Sequence, residues 1–223
     1  MRDYAFRDQP RLLEERDKHR ARVPSLLWEC TGGSKLCFDE VSLPVRALLR
    51  AYAKDFRRYA HLGHGLLIYG LPSVGKSVAA TLLAKAAISW GGTALFTSAS
   101  RMRDAIRTNQ MFDDSFSFAE RAQNVDLLVL DDLAASHATQ PYFGQDDLFN
   151  LIGSRGRERC VTVITSSLPL STLRDLYPRL GSLSRYVVPT HMTGPDWNKI
   201  LLDRQTKEAG DWERDLDQGP FDA

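Results

Sequence analysis

The sequence predicts a three-layer α/β fold built on a parallel five-stranded sheet, and three observations predict it. Short apolar runs of strand length alternate with helical patterns from Leu66 onward. The first run leads into the octapeptide Gly70-Leu-Pro-Ser-Val-Gly-Lys-Ser77 and then a long apolar helix. A later run, Leu127-Leu-Val-Leu130, ends in two adjacent carboxylates, Asp131 and Asp132. Alternation of this kind implies right-handed βαβ units and a sheet covered on both faces.

Each element has its own signal. Residues 1–35 are highly charged with mixed signs and read as an arm, with a solvated helix from Arg11 to Arg22 ended by Pro24. Ser42 and Pro44 mark the start of a helix that Gly63 stops. Leu48, Tyr52, Phe56 and Tyr59 line one face of it, while Arg46, Arg50, Lys54 and Arg57 form a basic stripe on another. That stripe reads either as a solvated face or as a DNA or partner contact. Leu66–Tyr69 is the first strand and Ser77–Trp90 a helix apolar nearly all round, ended by Gly91 and Gly92. Thr93–Thr97 is the second strand, followed by a helix that Ser100 can cap, bearing Arg101, Arg103 and Arg107. Leu127–Leu130, Val161–Thr165 and Tyr186–Val188 complete the strands, with a helix at Asp146–Arg159. Asp196 can cap a last helix with Trp197, Ile200 and Leu201 on one face. Residues 208–223 carry six acidic side chains against one Arg and read as an acidic tail.

Composition sets bounds on function. The 223 residues are 43% hydrophobic and 26% charged, as in an ordinary globular protein. A net charge of +1 gives no global pull toward nucleic acid, so any such surface must be local. No run is long and apolar enough to span a bilayer and the first residues show no secretory leader, so the expected location is the cytoplasm. Cys30, Cys37 and Cys160 read as thiols; a zinc site using Cys30 and Cys37 with His61 or His64 is the alternative, at spacings that match no usual pattern.

The octapeptide has the spacing of a phosphate-binding loop. Gly70 and Gly75 let the backbone approach a polyphosphate without a Cβ in the way. Leu71, Pro72, Ser73 and Val74 complete the loop, and the following helix start, through Val78, aims free N–H groups at the anion. Lys76 reaches the terminal phosphates and the Ser77 hydroxyl can ligate Mg²⁺. Such a loop needs a metal-holding carboxylate at the C-terminal edge of a neighbouring strand. Asp131 takes that role, and Asp132 that of the base for an attacking water. Ser167, with Thr165 second, is placed to face the γ-phosphate; the alternative for Ser167 is a turn former before Leu168-Pro169. A guanidinium from a neighbouring subunit can stabilise charge on the transferred group. Arg185 is the first candidate and Arg179 the second, each with a surface salt bridge as the alternative.

The phosphate loop, the Leu-Leu-Val-Leu-Asp-Asp-Leu run, Leu148-Phe-Asn-Leu-Ile152 and Val163-Ile-Thr-Ser-Ser-Leu-Pro169 together resemble the AAA+ ATPases of the DnaC/IstB group over about residues 36–203. Cys37-Phe-Asp-Glu-Val41 resembles the segment entering that group's core beside the adenine, Ser184-Arg185 falls at its arginine finger, and Asp196-Trp197 resembles a motif near the end of helicase loaders. The resemblance implies an AAA+ core at 36–207 without a C-terminal lid domain, ATP and Mg²⁺ as cofactors, and ATP hydrolysis. It implies a loader, of bacterial or phage type, that binds a replicative helicase through the arm and helps place it on single-stranded DNA, as a homo-oligomer or a helicase-bound ring or spiral. The alternative is an IstB-like regulator that binds duplex DNA and recruits a transposase, and a degenerate ATPase acting as a binding module is a third reading. By the same resemblance Arg101, Arg103 and Arg107 contact DNA phosphates. Two departures stand out. Ser167 occupies a position where the group commonly has Asn, and Asp132 replaces the more usual Glu.

Overall fold

A computed structural model describes residues 12–29, 43–108, 113–133, 145–200 and 202–203. The N-terminal segment forms α1 (Glu15–Ala21) and α2 (Ser25–Glu29). There follow α3 (Leu43–Lys54), α4 (Phe56–Leu62), β1 (Gly65–Tyr69), α5 (Lys76–Ser89) and β2 (Ala94–Ser98). Next come α6 (Ala99–Thr108), α7 (Asp113–Asn124), β3 (Leu127–Asp131), α8 (Gln145–Arg157) and β4 (Val161–Ser166). Helix α9 (Leu170–Leu176) and a 3₁₀ turn (Pro178–Leu183) lead to β5 (Val187–His191).

The five strands form one parallel sheet in the order β2-β3-β4-β1-β5. Strand residues alternate between two apolar layers. Leu66, Ile68, Val129 and Val163 face the layer that holds α1 to α5, whereas Leu67, Leu128, Leu130 and Ile164 face the layer built from α6 to α9. All eight are fully buried, and each such side chain stabilises the fold by about 1.5–3 kcal/mol relative to exposure. The expected sheet is therefore present, with β4 seated between the loop-bearing β1 and the carboxylate-bearing β3. No helical lid domain follows the sheet among the described residues.

Three local expectations are corrected. The single helix expected before Gly63 is two, because Asp55 leaves the helical conformation and its carboxylate accepts from the Arg58 N–H at 3.3 Å, capping α4. The helix after β2 begins at Ala99, and the Ser98 hydroxyl rather than Ser100 accepts from the Arg101 N–H at 3.2 Å. The solvated N-terminal helix is half sunk: Ala21, Val23 and Trp28 enter the core, and Asp17 is buried. Asp17 takes the Glu14 N–H at 2.8 Å in a capping box. The described part of the arm is thus packed on the sheet domain, with α1 against β2 and α2 against α5. In the basic stripe, Arg57 lies 4.6 Å over the Trp90 ring, and Arg50 and Lys54 face solvent. Residues 36–41, Cys30, Cys37 and the tail at 208–223 lie outside the described residues.

A buried arginine ties the second layer to the sheet. Arg155 is fully buried and spends its donors on the Ala122 and Gln123 carbonyls at 2.5 and 3.1 Å, the Val161 carbonyl at 2.7 Å and the Thr162 hydroxyl at 3.0 Å. It satisfies carbonyls left open at the end of α7 and fixes where β4 begins.

Candidate nucleotide site

The loop between β1 and α5 has the shape its glycines imply. Gly70 has φ +157, and a Cβ there would fall 2.1 Å from the Met192 carbonyl oxygen, so the chain after β5 requires a glycine. Gly75 has φ +95 and caps α5, turning the first N–H groups of that helix toward the cleft. Ser73 also adopts a left-handed conformation, at φ +62.

Lys76 is buried, and its ammonium donates to the Gly70 carbonyl at 3.0 Å and the Leu71 carbonyl at 2.5 Å. Burial lowers its pKa, and the carboxylates of Asp132 and Asp131 oppose the shift. The Ser77 hydroxyl donates to Asp131, with oxygens at 2.8 and 3.1 Å. The Thr165 hydroxyl donates to the same carboxylate at 2.7 Å and accepts the Asp132 N–H at 2.9 Å. Asp131 is thereby oriented from both sides. A hydroxyl and a carboxylate side by side at a phosphate loop are the hard oxygen donors that Mg²⁺ prefers, so Ser77 and Asp131 fit that ion.

Asp132 follows the end of β3 in a left-handed conformation, φ +56, which turns its carboxylate to the mouth of the cleft. Burial of that carboxylate raises its pKa, repulsion from Asp131 adds to the rise, and Lys76 opposes it. A carboxylate held off the metal position, with a raised proton affinity, suits a base acting on water.

Lys76, Ser77, Asp131, Asp132, Thr165 and Ser167 all line one cleft of about 570 Å³. Thr165, on β4, and Ser167, just past its end, have different surroundings. Thr165 makes the contacts to the carboxylate pair, while Ser167 lines the cleft wall. The far wall was not legible in the sequence: Leu26, Leu27, Trp197 and Asn198 come from the two ends of the chain. The Asp196 cap is present, its carboxylate accepting from the Asn198 and Lys199 N–H groups at 3.0 and 3.3 Å.

Arg185 precedes β5, whose first residue pairs with Gly65 at the start of β1. It therefore lies at the N-terminal edge of the sheet, opposite the phosphate loop, and it is exposed. Arg179 pairs with Asp146 at 2.5 Å and sits 3.7 Å over the Phe149 ring, so it serves its own fold. Arg101 is exposed and lies over Phe118, as does Arg22 from the N-terminal segment. Arg103 pairs with Asp104 at 2.6 Å, and the Arg107 side chain lies outside the described residues. Cys160 is a buried thiol whose Sγ lies 3.9 Å from the Glu158 carbonyl oxygen. No helix among the described residues is long and apolar enough to cross a membrane.

Comparison with known proteins agrees with this geometry. The chain is 27% identical over 201 residues to the ATP-binding protein of insertion sequence IS1162 from Pseudomonas fluorescens, covering 85% of this chain and 80% of that protein. It is 29% identical over 141 residues to the insertion-sequence ATP-binding protein y4iQ/y4nD/y4sD of Sinorhizobium fredii, covering 63% of this chain and 46% of that longer relative. Among solved structures, the DnaC helicase loader superposes with a TM-score of 0.54 at 24% identity, over 67% of this chain and 89% of that one. DnaI superposes at 0.57 with 17% identity, over 76% and 94%. AMPPCP-bound DnaA from Aquifex aeolicus gives 0.51 with 19% identity, over 74% and 51%. These place the fold among P-loop AAA+ domains. The family described as IstB-like ATP binding protein matches residues 46–178, more than half of the chain, and the protein belongs to that family, within the DnaC/IstB group of AAA+ ATPases.

Proposed function

We propose that the protein is an Mg²⁺-dependent ATPase that loads a replicative helicase onto single-stranded DNA. The observation that carries hydrolysis is the convergence of Lys76, Ser77, Asp131, Thr165 and Asp132 in one cleft. Lys76 leaves the loop carbonyls to neutralise the terminal phosphates. Ser77 and Asp131 hold the metal, whose charge draws electron density from the γ-phosphoryl group when bound. Asp132 accepts a proton from the attacking water, and Ser167 donates to a γ-phosphate oxygen from the cleft wall. Arg185, at the opposite edge of the sheet, reaches the site of a neighbouring copy rather than its own, so turnover requires a head-to-tail assembly.

On this reading residues 1–35 contact the helicase, residues 36–207 form the core and residues 208–223 an acidic tail. DNA contact falls to α6 and its surroundings. Arg101 and Arg22 share Phe118, with Arg121 near Arg22, and none of the three has an ion pair among the described residues. A second reading, an accessory ATPase that recruits a transposase to duplex DNA, is favoured by the insertion-sequence origin of both curated relatives. A pull-down with ATP on the full-length chain separates the two readings. Capture of a hexameric helicase supports the first, and capture of a transposase overturns it in favour of the second.

A further inference from the structure

The nucleotide cleft holds a donor that the fold leaves unused. The Trp197 indole Nε1 is buried and has no hydrogen-bond partner among the described residues. A buried N–H of this kind costs stability unless a partner arrives. Its location says which partner. The Trp197 backbone N–H donates to the Ser73 carbonyl at 3.1 Å, which pins the residue to the phosphate loop. The indole Nε1 lies 3.7 Å and Cδ1 3.8 Å from the position a Gly75 Cβ would take, and Trp197 lines the same cleft as Lys76 and Ser77. Lys76 would take the terminal phosphates, and Ser77 and Asp131 the metal beside them. The side chains of Leu26, Leu27 and Val78 on the same cleft are apolar and suit the flat base. Trp197 touches the loop at Ser73 and Gly75, ahead of Lys76 and Ser77 in the chain.

We infer that Trp197 is a nucleotide-binding residue, its indole N–H donating to an oxygen of the ribose–α-phosphate portion of ATP or ADP. The inference rests on the nucleotide-site reading and deepens it. The segment from Met192 to Ile200, held by the Gly70 approach and the Asp196 cap, then forms part of the cleft wall that a separate lid would otherwise supply. Because the contact avoids the γ-phosphate, it serves ATP and ADP equally.

The test uses the full chain and ADP or ATP as the probe. Trp197→Phe keeps a ring but removes the donor, and the expected result is about tenfold weaker binding of both nucleotides, with a nucleotide-free urea midpoint no lower than wild type. Independently, the Trp197 indole N–H resonance of ¹⁵N-labelled wild-type protein, identified by its loss in Trp197→Phe, shifts downfield as ADP is added. Affinity within twofold of wild type together with an unmoved resonance overturns the inference. Lys76→Ala marks the other failure: if that variant binds nucleotide as wild type does, the site reading falls and the inference with it.

Discussion

Ser77 and Asp131, 54 positions apart in sequence, meet at 2.8 Å because α5, packed on the sheet, starts beside the end of β3. Asp131→Ala removes the acceptor for both Ser77 and Thr165. Nucleotide binding with Mg²⁺ should weaken by at least tenfold, while binding in EDTA changes little. Isothermal titration in the two buffers reads the difference, and equal losses in both would assign Asp131 to the loop rather than to the metal.

Asp132 predicts a pH dependence with a definite sign. Its pKa is raised above the ordinary 3.8, and the base must be ionised, so turnover falls with decreasing pH starting above the usual aspartate range. Asp132→Asn should bind ATP and lose turnover by about 10²–10⁴-fold. The stability effect runs the other way. A raised carboxyl pKa means the folded chain holds the proton more tightly than the unfolded one, so stability is lost as pH rises through that pKa. At neutral pH the Asn variant should therefore melt no lower than wild type, and scanning calorimetry at several pH values checks it.

Arg185→Ala should depress ATP turnover by on the order of 10³-fold under conditions where copies assemble, without changing nucleotide affinity. Mixing it with Asp132→Asn should restore part of the activity, since each variant supplies what the other lacks. Turnover per subunit that stays constant on dilution to monomers would return Arg185 to the surface.

Two glycines test the packing. At Gly65 a Cβ would lie 1.9 Å from the Thr162 carbonyl oxygen, on the strand paired with β1, while at Gly181 nothing lies within 4 Å. Gly65→Ala should cost about 1–3 kcal/mol or more, and Gly181→Ala should stay within about 0.5 kcal/mol of wild type. Urea denaturation of the pair reads the contrast.

Arg22, Arg101 and Arg121 should carry part of the DNA affinity. Replacing any one by Glu should weaken binding of an oligothymidine strand and reduce the salt slope by about 1. Fluorescence anisotropy across a salt series measures it. Unchanged slopes would leave Arg22 and Arg101 to intramolecular stacking on Phe118 and Arg121 to the Arg20 carbonyl.

The sheet, the loop and the carboxylate pair were legible because each rests on local chemistry. Apolar runs of strand length, a glycine-rich turn and adjacent aspartates all lie contiguous in sequence. What escaped depends on distant chain segments. That Thr165 rather than Ser167 orients Asp131 follows from the β3–β4 register, which pairs Leu130 with Ile164 and which no local pattern contains. The cleft wall from Leu26, Leu27 and Trp197 joins residues near the two ends of the chain. The N-terminal helix looked solvated because its charges are conspicuous, whereas Ala21, Val23 and Trp28, spaced irregularly among them, set its packing. The break at Asp55 hid within an apolar periodicity that continues across both helices.

The two borders of the sheet differ in kind but agree in effect. Helix α1 packs against β2, and β5 carries Pro189, which has no amide hydrogen to offer a further strand. In the head-to-tail assembly proposed above, the copies are thereby kept from ribbon-like stacking through their strands. Any ring or spiral it builds has to close through loops and helices, surfaces that can separate again when the nucleotide changes.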